Sequence, residues 1–319
     1  MEKKVDFGRF YIVDFAKKLA HKKNVWAILY LILNMAIITV FMRAFTDNWW
    51  MSALYGVLLY LATGMIALSP VGEWLFRLIN GCKKIKEPEI LNRLNPLFME
   101  VKERAQRERP DVIVDPKISL YIKEDDSINA FAMGRRTVCV TRGLLQLSDE
   151  QIKGVLGHEF GHLVTHDTDL TLLITIGNFM ISAAVTVIRA ILFVYHFIMS
   201  LVSVFLGGSE GLFFAVVNAV YTFLITVLID GGMWVWTQLG ILMVMKSSRD
   251  AEYEADAFAC DIGYGAGLLS FFRLLDQLEI TSGAKADRGN IFAALASSHP
   301  ATEQRIARIE SRALPEAQR

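Results

Sequence analysis

The stretch GHEFGHLVTHD, residues 157–167, gathers His158, Glu159, His162 and His166, so that three of the chain's six histidines fall within nine residues. His158 and His162 are four apart, which on a helix puts both imidazoles on one face, a turn from each other, where they can hold one ion. Glu159 follows the first of them. Two imidazoles beside a carboxylate form the donor set of a zinc hydrolase: zinc acidifies a bound water and the carboxylate takes its proton. Gly161 is read as keeping the metal face uncrowded. The competing reading is a solvated histidine face on an amphipathic helix. An HExxH match is uncommon by chance in one chain, which favours the metal.

A catalytic zinc needs a third protein ligand and an open fourth position. His166 lies one turn beyond His162. Three histidines in line on a straight helix do not converge on one ion, and Leu163-Val164-Thr165 offers no bend. His166 is therefore read as a helix-end or membrane-interface residue. Some ninety residues downstream, SRDAEYEADAFA carries Glu252, Glu254 and Asp256. Glu252 and Asp256 share a helical face and Glu254 points away. One of the two can bind the zinc while the other orients a ligand histidine. Taken alone, the stretch suits an acidic helix face equally well.

The elements that must bring these residues together include a membrane. The chain has 319 residues, 53% of them hydrophobic, and a mean hydropathy of +0.37. A water-soluble domain of this length is usually less apolar. The apolar residues sit in runs. Residues 25–42 and 51–72 are uncharged, and each can cross a hydrocarbon core of about 30 Å. Residues 170–207 and 211–245 form a second block, divided by GGSEG and carrying Arg189 and Asp230. On two long helices these charges sit about 28 Å and about 25 Å from the near ends, at similar depth, where pairing lowers the penalty of burying them in lipid. TVIRAIL has no Gly or Pro to turn the chain, so two long helices are favoured over four short spans. Either count is even and returns Glu252 to the side of His162.

Lys and Arg set the orientation. They crowd the first 24 residues and follow the second span as Arg77, Lys83, Lys84 and Lys86, and they are absent from the TDNWW and GGSEG loops. The sequence thus divides into a cytoplasmic N-terminal segment (1–24), a first transmembrane pair (25–72), a cytoplasmic catalytic part (73–169), a second pair of long helices (170–246) and a second cytoplasmic catalytic part (247–319). Formal net charge is zero, which argues against a nucleic-acid partner held by bulk charge. Cys82, Cys139 and Cys260 form no CxxC pair, so a disulfide framework or a cysteine zinc site is not expected.

In the water-soluble parts, apolar spacing predicts a helix over 87–109. DVIVDPKISLYIKED, SINAFAMG and TVCV read as strands. Ser148 with Gln151 matches a capping box opening the HExxH helix. GLLSFFRLLDQLE reads as an amphipathic helix, and SSHPATEQRIARIESR as a turn and a last helix.

These motifs together resemble the HtpX-like membrane-embedded zinc metalloproteases, relatives of the CAAX prenyl proteases among the gluzincins. SINAFAMG, VTRGLL, GHEFGHLVTHD, SSRDAEYEADAFA and SHPATEQRIARI carry the likeness, from about residue 87 to 308. The resemblance implies one zinc per chain on His158, His162 and Glu252, with Glu159 as general base. It also implies Asp256 orienting a ligand histidine, and His299 and Arg305 approaching the active site as catalytic residues. Asn129, Ala130, Phe131, Ala132 and Met133 would form the edge that pairs with a substrate backbone. HPA at residues 299–301 stands where the family has HPP, and the second membrane pair is longer than expected.

The fold expected is a mainly α multi-pass membrane protein with a small α+β zincin-type catalytic domain, comprising the HExxH helix and a short sheet with a substrate-binding edge strand. The function expected is a zinc endopeptidase of the bacterial cytoplasmic membrane, both termini cytoplasmic, acting on membrane proteins or peptides in quality control. The partners expected are those substrates and the lipid bilayer. Alternatives are a CAAX-type or other specialised processing protease, or a non-proteolytic zinc-binding membrane protein. A transporter is disfavoured because only Arg189, His196 and Asp230 bring charge or an ionisable ring into the second block.

Overall fold

The computed structural model describes residues 24–112, 114–281 and 302–313. Its helices are α1 (Val25–Met42), α2 (Trp49–Ala67), α3 (Pro70–Ile79), α4 (Pro88–Glu108), α5 (Asp149–Val164), α6 (Asp167–Leu206), α7 (Gly208–Asp261), α8 (Gly265–Thr281) and α9 (Thr302–Ala313). Between α4 and α5 lie β1 (Ser119–Lys123), β2 (Ala130–Met133) and β3 (Thr137–Thr141). Chain contacts separate two compact units.

One unit takes in the described parts of Met1–Ile28, Gly64–Ile174 and Val244–Arg319. Its sheet has the order β1-β3-β2. β1 runs parallel to β3, with Tyr121 opposite Cys139, and β2 runs antiparallel to it, with Ala132 opposite Val138. β3 is fully buried in the middle, and β2 is left as an edge. The core joins Leu94, Phe98 and Val101 of α4 to Ile152, Leu156 and Phe160 of α5 and to Phe258, Ile262 and Leu268. The capping box at the start of α5 is formed: Ser148 N–H donates to Gln151 Oε1 at 3.0 Å while Ser148 Oγ accepts from Gln151 N–H.

Three readings are corrected. DVIVDPKISLYIKED forms a strand only at Ser119–Lys123. Before it, Asp115 closes a turn, accepting from Lys117 N–H with its side chain and from Ile118 N–H with its carbonyl. Pro116 adds to this turn chemistry. The second apolar helix stops at Ala67, short of Gly72, because the Ser69 side chain accepts from Val71 and Gly72 N–H and Pro70 starts a new helix. Between α5 and α6 the chain does bend: Thr165 and His166 form a turn, and His166 takes a left-handed φ of 61°.

The other unit comprises Leu29–Thr63 and Thr175–Met243. Among the described residues, four helices are long and apolar enough to cross a membrane: Val25–Met42, Trp49–Ala67, Asp167–Leu206 and Gly208–Gly240 within α7. At 40 residues, α6 is about 60 Å long, roughly twice a hydrocarbon core. Gly207 and Gly208, both left-handed, turn the chain from α6 to α7. Within this unit polar contacts join helices: Tyr30 donates to Asn178 at 2.6 Å, Arg189 pairs with Asp230, and Asn218 meets His196 Nδ1 at 2.9 Å. Such contacts hold helices together where lipid surrounds them.

Candidate active site

The site is assembled on α5, α7, α9 and the edge strand β2. His158 and His162 project from one face of α5 with their Nε2 atoms 3.2 Å apart. Glu252 of α7 closes the group: its Oε2 lies 3.4 Å from His158 Nε2, and its Oε1 lies 3.7 Å from His162 Nε2. Among the described residues this is the one group of three His, Cys, Asp or Glu side chains placed to share an ion.

The fit to a metal can be tested on these distances. Donors about 2.0–2.1 Å from a tetrahedral centre are about 3.3 Å from each other. The observed separations of 3.2, 3.4 and 3.7 Å match. Two imidazoles and a carboxylate are also donors that a borderline ion such as zinc accepts.

Small residues let the two ligand helices come this close. A Cβ added to Gly161 would lie 2.7 Å from Ala255 Cα of α7; at Gly154 it is α8 that comes close, with Leu268 N 2.2 Å from an added Cβ. Gly161 therefore faces α7 rather than clearing the metal face, which corrects its reading from sequence. Its absent side chain lets the backbone three residues beyond Glu252 pack onto α5.

Behind His158 lies a buried charged network. Asp256 Oδ1 is 2.9 Å from His158 Nδ1, the contact that fixes which ring nitrogen carries the proton. Arg305 of α9 grips the same carboxylate twice, Nε to Oδ2 at 2.7 Å and Nη2 to Oδ1 at 2.6 Å, and its Nη1 lies 3.0 Å from Glu252 Oε2. Burial works against the charge on Asp256, but Arg305 and His158 outweigh it and hold the carboxyl below its usual range. Burial likewise opposes a charged His158; hydrogen bonds to Asp256 and Glu252 overcome it, and its pKa in the metal-free protein is pushed up to about 9.

Glu159 is buried beside the histidines, and its Oε2 accepts from Ala132 N–H at 2.7 Å. Burial pushes its carboxyl above the usual range, the direction that suits a group exchanging protons near neutral pH. A cleft of about 440 Å³ opens over His158, Glu159, His162 and Glu252. Asn129, Ala130, Phe131, Ala132 and Met133 all line it. Its apolar wall includes Ala27, Leu170, Leu172 and Ile174.

The structure thus brings His158, Glu159, His162, Glu252, Asp256 and the β2 residues together. Arg305 reaches the group from behind His158 and does not line the cleft. His299 lies outside the described residues. His166 stays apart from the three clustered donors and pairs with Asp169, Nδ1 to Oδ2 at 3.1 Å. Two residues escaped the sequence reading. Asp167 lines the cleft with its Oδ2 3.5 Å from His162 Nδ1, and Thr168 donates to Gly134 O at 2.6 Å at the end of β2. An aspartate five residues past a helical histidine has no shared face to announce it. The left-handed turn at His166 creates the contact.

An HExxH helix, a distant helical carboxylate and an edge strand over the same cleft, in a chain with four membrane-length apolar helices, define a membrane metalloprotease. The profile of peptidase family M48 matches residues 113–313, and the chain belongs to that family. A protease HtpX homolog of Lactobacillus helveticus is 30% identical over 222 residues, covering 61% of this chain and 67% of that protein. One of Chlorobium phaeobacteroides is 30% identical over 214 residues, covering 61% and 65%. The chain therefore spans about two thirds of the length of these relatives. Among solved structures, that of S. mikatae Ste24p aligns with a TM-score of 0.45 at 17% identity, covering 95% of this chain and 67% of that one.

Proposed function

We propose that the chain is a zinc endopeptidase that cleaves membrane proteins, or segments leaving the membrane, on the cytoplasmic side. The observation that carries this reading is the convergence of His158, His162 and Glu252 beside a buried Glu159 that touches the edge strand. A zinc ion on those three donors supplies Lewis acidity, acidifying water and polarising a carbonyl. Glu159 takes the proton of the attacking water and delivers it to the leaving amine. Asp256 holds His158 in the tautomer that turns Nε2 toward Glu252, and Arg305 holds Asp256. Residues 129–133 receive the substrate as an added strand, since β2 is the edge of the sheet among the described residues. His299 is the remaining candidate for stabilising the developing negative charge.

Two features support membrane substrates. Leu170, Leu172 and Ile174 give the cleft an apolar wall, and His162 is only eight residues before the apolar run. The Lys and Arg distribution supports the cytoplasmic side and cytoplasmic termini. A broad cleft with an apolar wall fits quality control in a bacterial inner membrane better than processing at one fixed sequence. A metal site with a purely structural role has no use for Glu159. The test is proteomics of membrane fractions from cells making the parent or Glu159→Gln protein. Membrane proteins that accumulate full-length only with the variant support the reading. Identical fragment patterns contradict it.

A further inference from the structure

We propose that Asp167 is a positioning residue for His162: its carboxylate holds the Nδ1–H of that imidazole and so turns Nε2 toward the metal. The proposal rests on the zinc reading of the site given above. His162 Nδ1 and Asp167 Oδ2 are 3.5 Å apart. On the other ligand histidine, Asp256 makes the corresponding contact with His158 Nδ1 at 2.9 Å. Each of the two imidazoles thus has a carboxylate on the nitrogen facing away from the shared ion position.

The backbone is arranged for this contact. On an unbroken helix Asp167 would lie about 140° around the axis from His162, out of reach. The left-handed His166, φ 61°, interrupts the helix and brings Asp167 back. A residue with a β-carbon seldom adopts that conformation unless its surroundings favour it. Three side chains of the turn do so. Thr165 Oγ1 donates to the same Asp167 Oδ2, His166 Nδ1 pairs with Asp169, and Thr168 Oγ1 donates to Gly134 O. The Thr165 hydroxyl fixes the carboxylate, and the Thr168 bond ties the turn to the end of β2. Asp167 also lines the cleft, as His162 does.

The rival explanation is that Asp167 serves only as an acid at the start of α6, favourable for the helix dipole. Zinc affinity separates the two. The full chain, purified in detergent and stripped of metal, is titrated with Zn²⁺ against a chromophoric chelator. The parent is expected to bind one ion. Asp167→Asn, and Asp167→Ser which keeps a hydrogen-bonding group at the helix start, are expected to bind about 10- to 100-fold more weakly. In a His162→Ala background, Asp167→Asn should cause no further loss, because the group it positions is gone. Unchanged affinity in both Asp167 variants, with the parent binding normally, overturns the role of Asp167 and leaves the zinc site standing. An equal loss with and without His162 overturns it too, since a structural effect adds in both backgrounds. A parent that takes up no zinc overturns the site itself, and the proposal falls with it.

Discussion

Arg305 holds Asp256 through two parallel hydrogen bonds, 2.7 Å from Nε to Oδ2 and 2.6 Å from Nη2 to Oδ1, and Asp256 in turn meets His158 Nδ1 at 2.9 Å. All three groups are buried. The arrangement makes α9 a support for the metal site: Arg305 neutralises two carboxylates, Asp256 and Glu252, that would otherwise face each other out of water.

Removing that support should show in both stability and metal binding. Arg305→Met leaves Asp256 and Glu252 buried without their cation, a change expected to destabilise by about 3–5 kcal/mol. Arg305→Lys keeps the charge and loses the planar fork, so it should fall between parent and Arg305→Met. Thermal melts and zinc titration of the purified proteins check this. A melt for Arg305→Met equal to the parent's contradicts the assignment.

The glycines of α5 give a contrast. Gly161→Ala drives a Cβ to 2.7 Å from Ala255 Cα, and overpacking of this kind costs about 1–3 kcal/mol. It should also weaken zinc binding by pushing Glu252 away. At Gly157 the added Cβ would meet nothing closer than 3.4 Å, from Ala259 Cβ and Ile262 Cδ1. Gly157→Ala should be near neutral, helped by a helix-propensity gain of about 1 kcal/mol. Paired melting curves read the difference.

Ala132→Pro tests the link between the edge strand and Glu159. Ala132 N–H points to Glu159 rather than into the ladder, and proline is tolerated at such an edge. The fold should survive, while Glu159 loses the donor that places it and kcat/KM falls by about 10²-fold. Peptide cleavage assays alongside circular dichroism distinguish this from unfolding.

The pH dependence of metal uptake has a definite sign. In the metal-free protein His158 keeps its proton up to a pH of about 9, and a metal must displace it. Apparent zinc affinity should therefore rise with pH, about tenfold per unit from this group, and level off above about 9. The same raised pKa stabilises the metal-free protein most below the ordinary histidine value of about 6.5. That stability is lost as pH rises through about 9, while the zinc-loaded protein should not share the loss. Chelator competition and melts across that range measure both.

Local spacing made part of this site legible. His158, Glu159 and His162 follow from helical geometry, and so does the shared face of Glu252 and Asp256. The capping box at Ser148 and Gln151 placed the start of α5. What spacing could not give was tertiary. Gly161 looks like a residue that clears the metal, until α7 packs against it at Ala255. Arg305 has its target 49 residues earlier in the chain, with nothing local to mark it. The bend at His166 carries no glycine or proline, so Asp167 was invisible as a neighbour of His162. The strand expected at the start of DVIVDPKISLYIKED yields to the turn chemistry of Asp115 and Pro116.

The central claim is that His158, His162 and Glu252 hold the metal while Glu159 moves the proton. Peptide-bond hydrolysis and bound zinc measured together on purified parent, Glu159→Gln and Glu252→Gln proteins test it most directly. Glu159→Gln should keep one zinc and lose at least about 10²-fold in kcat, and Glu252→Gln should lose both zinc and activity. Hydrolysis by Glu159→Gln at the parent's rate, with its zinc in place, would contradict the account.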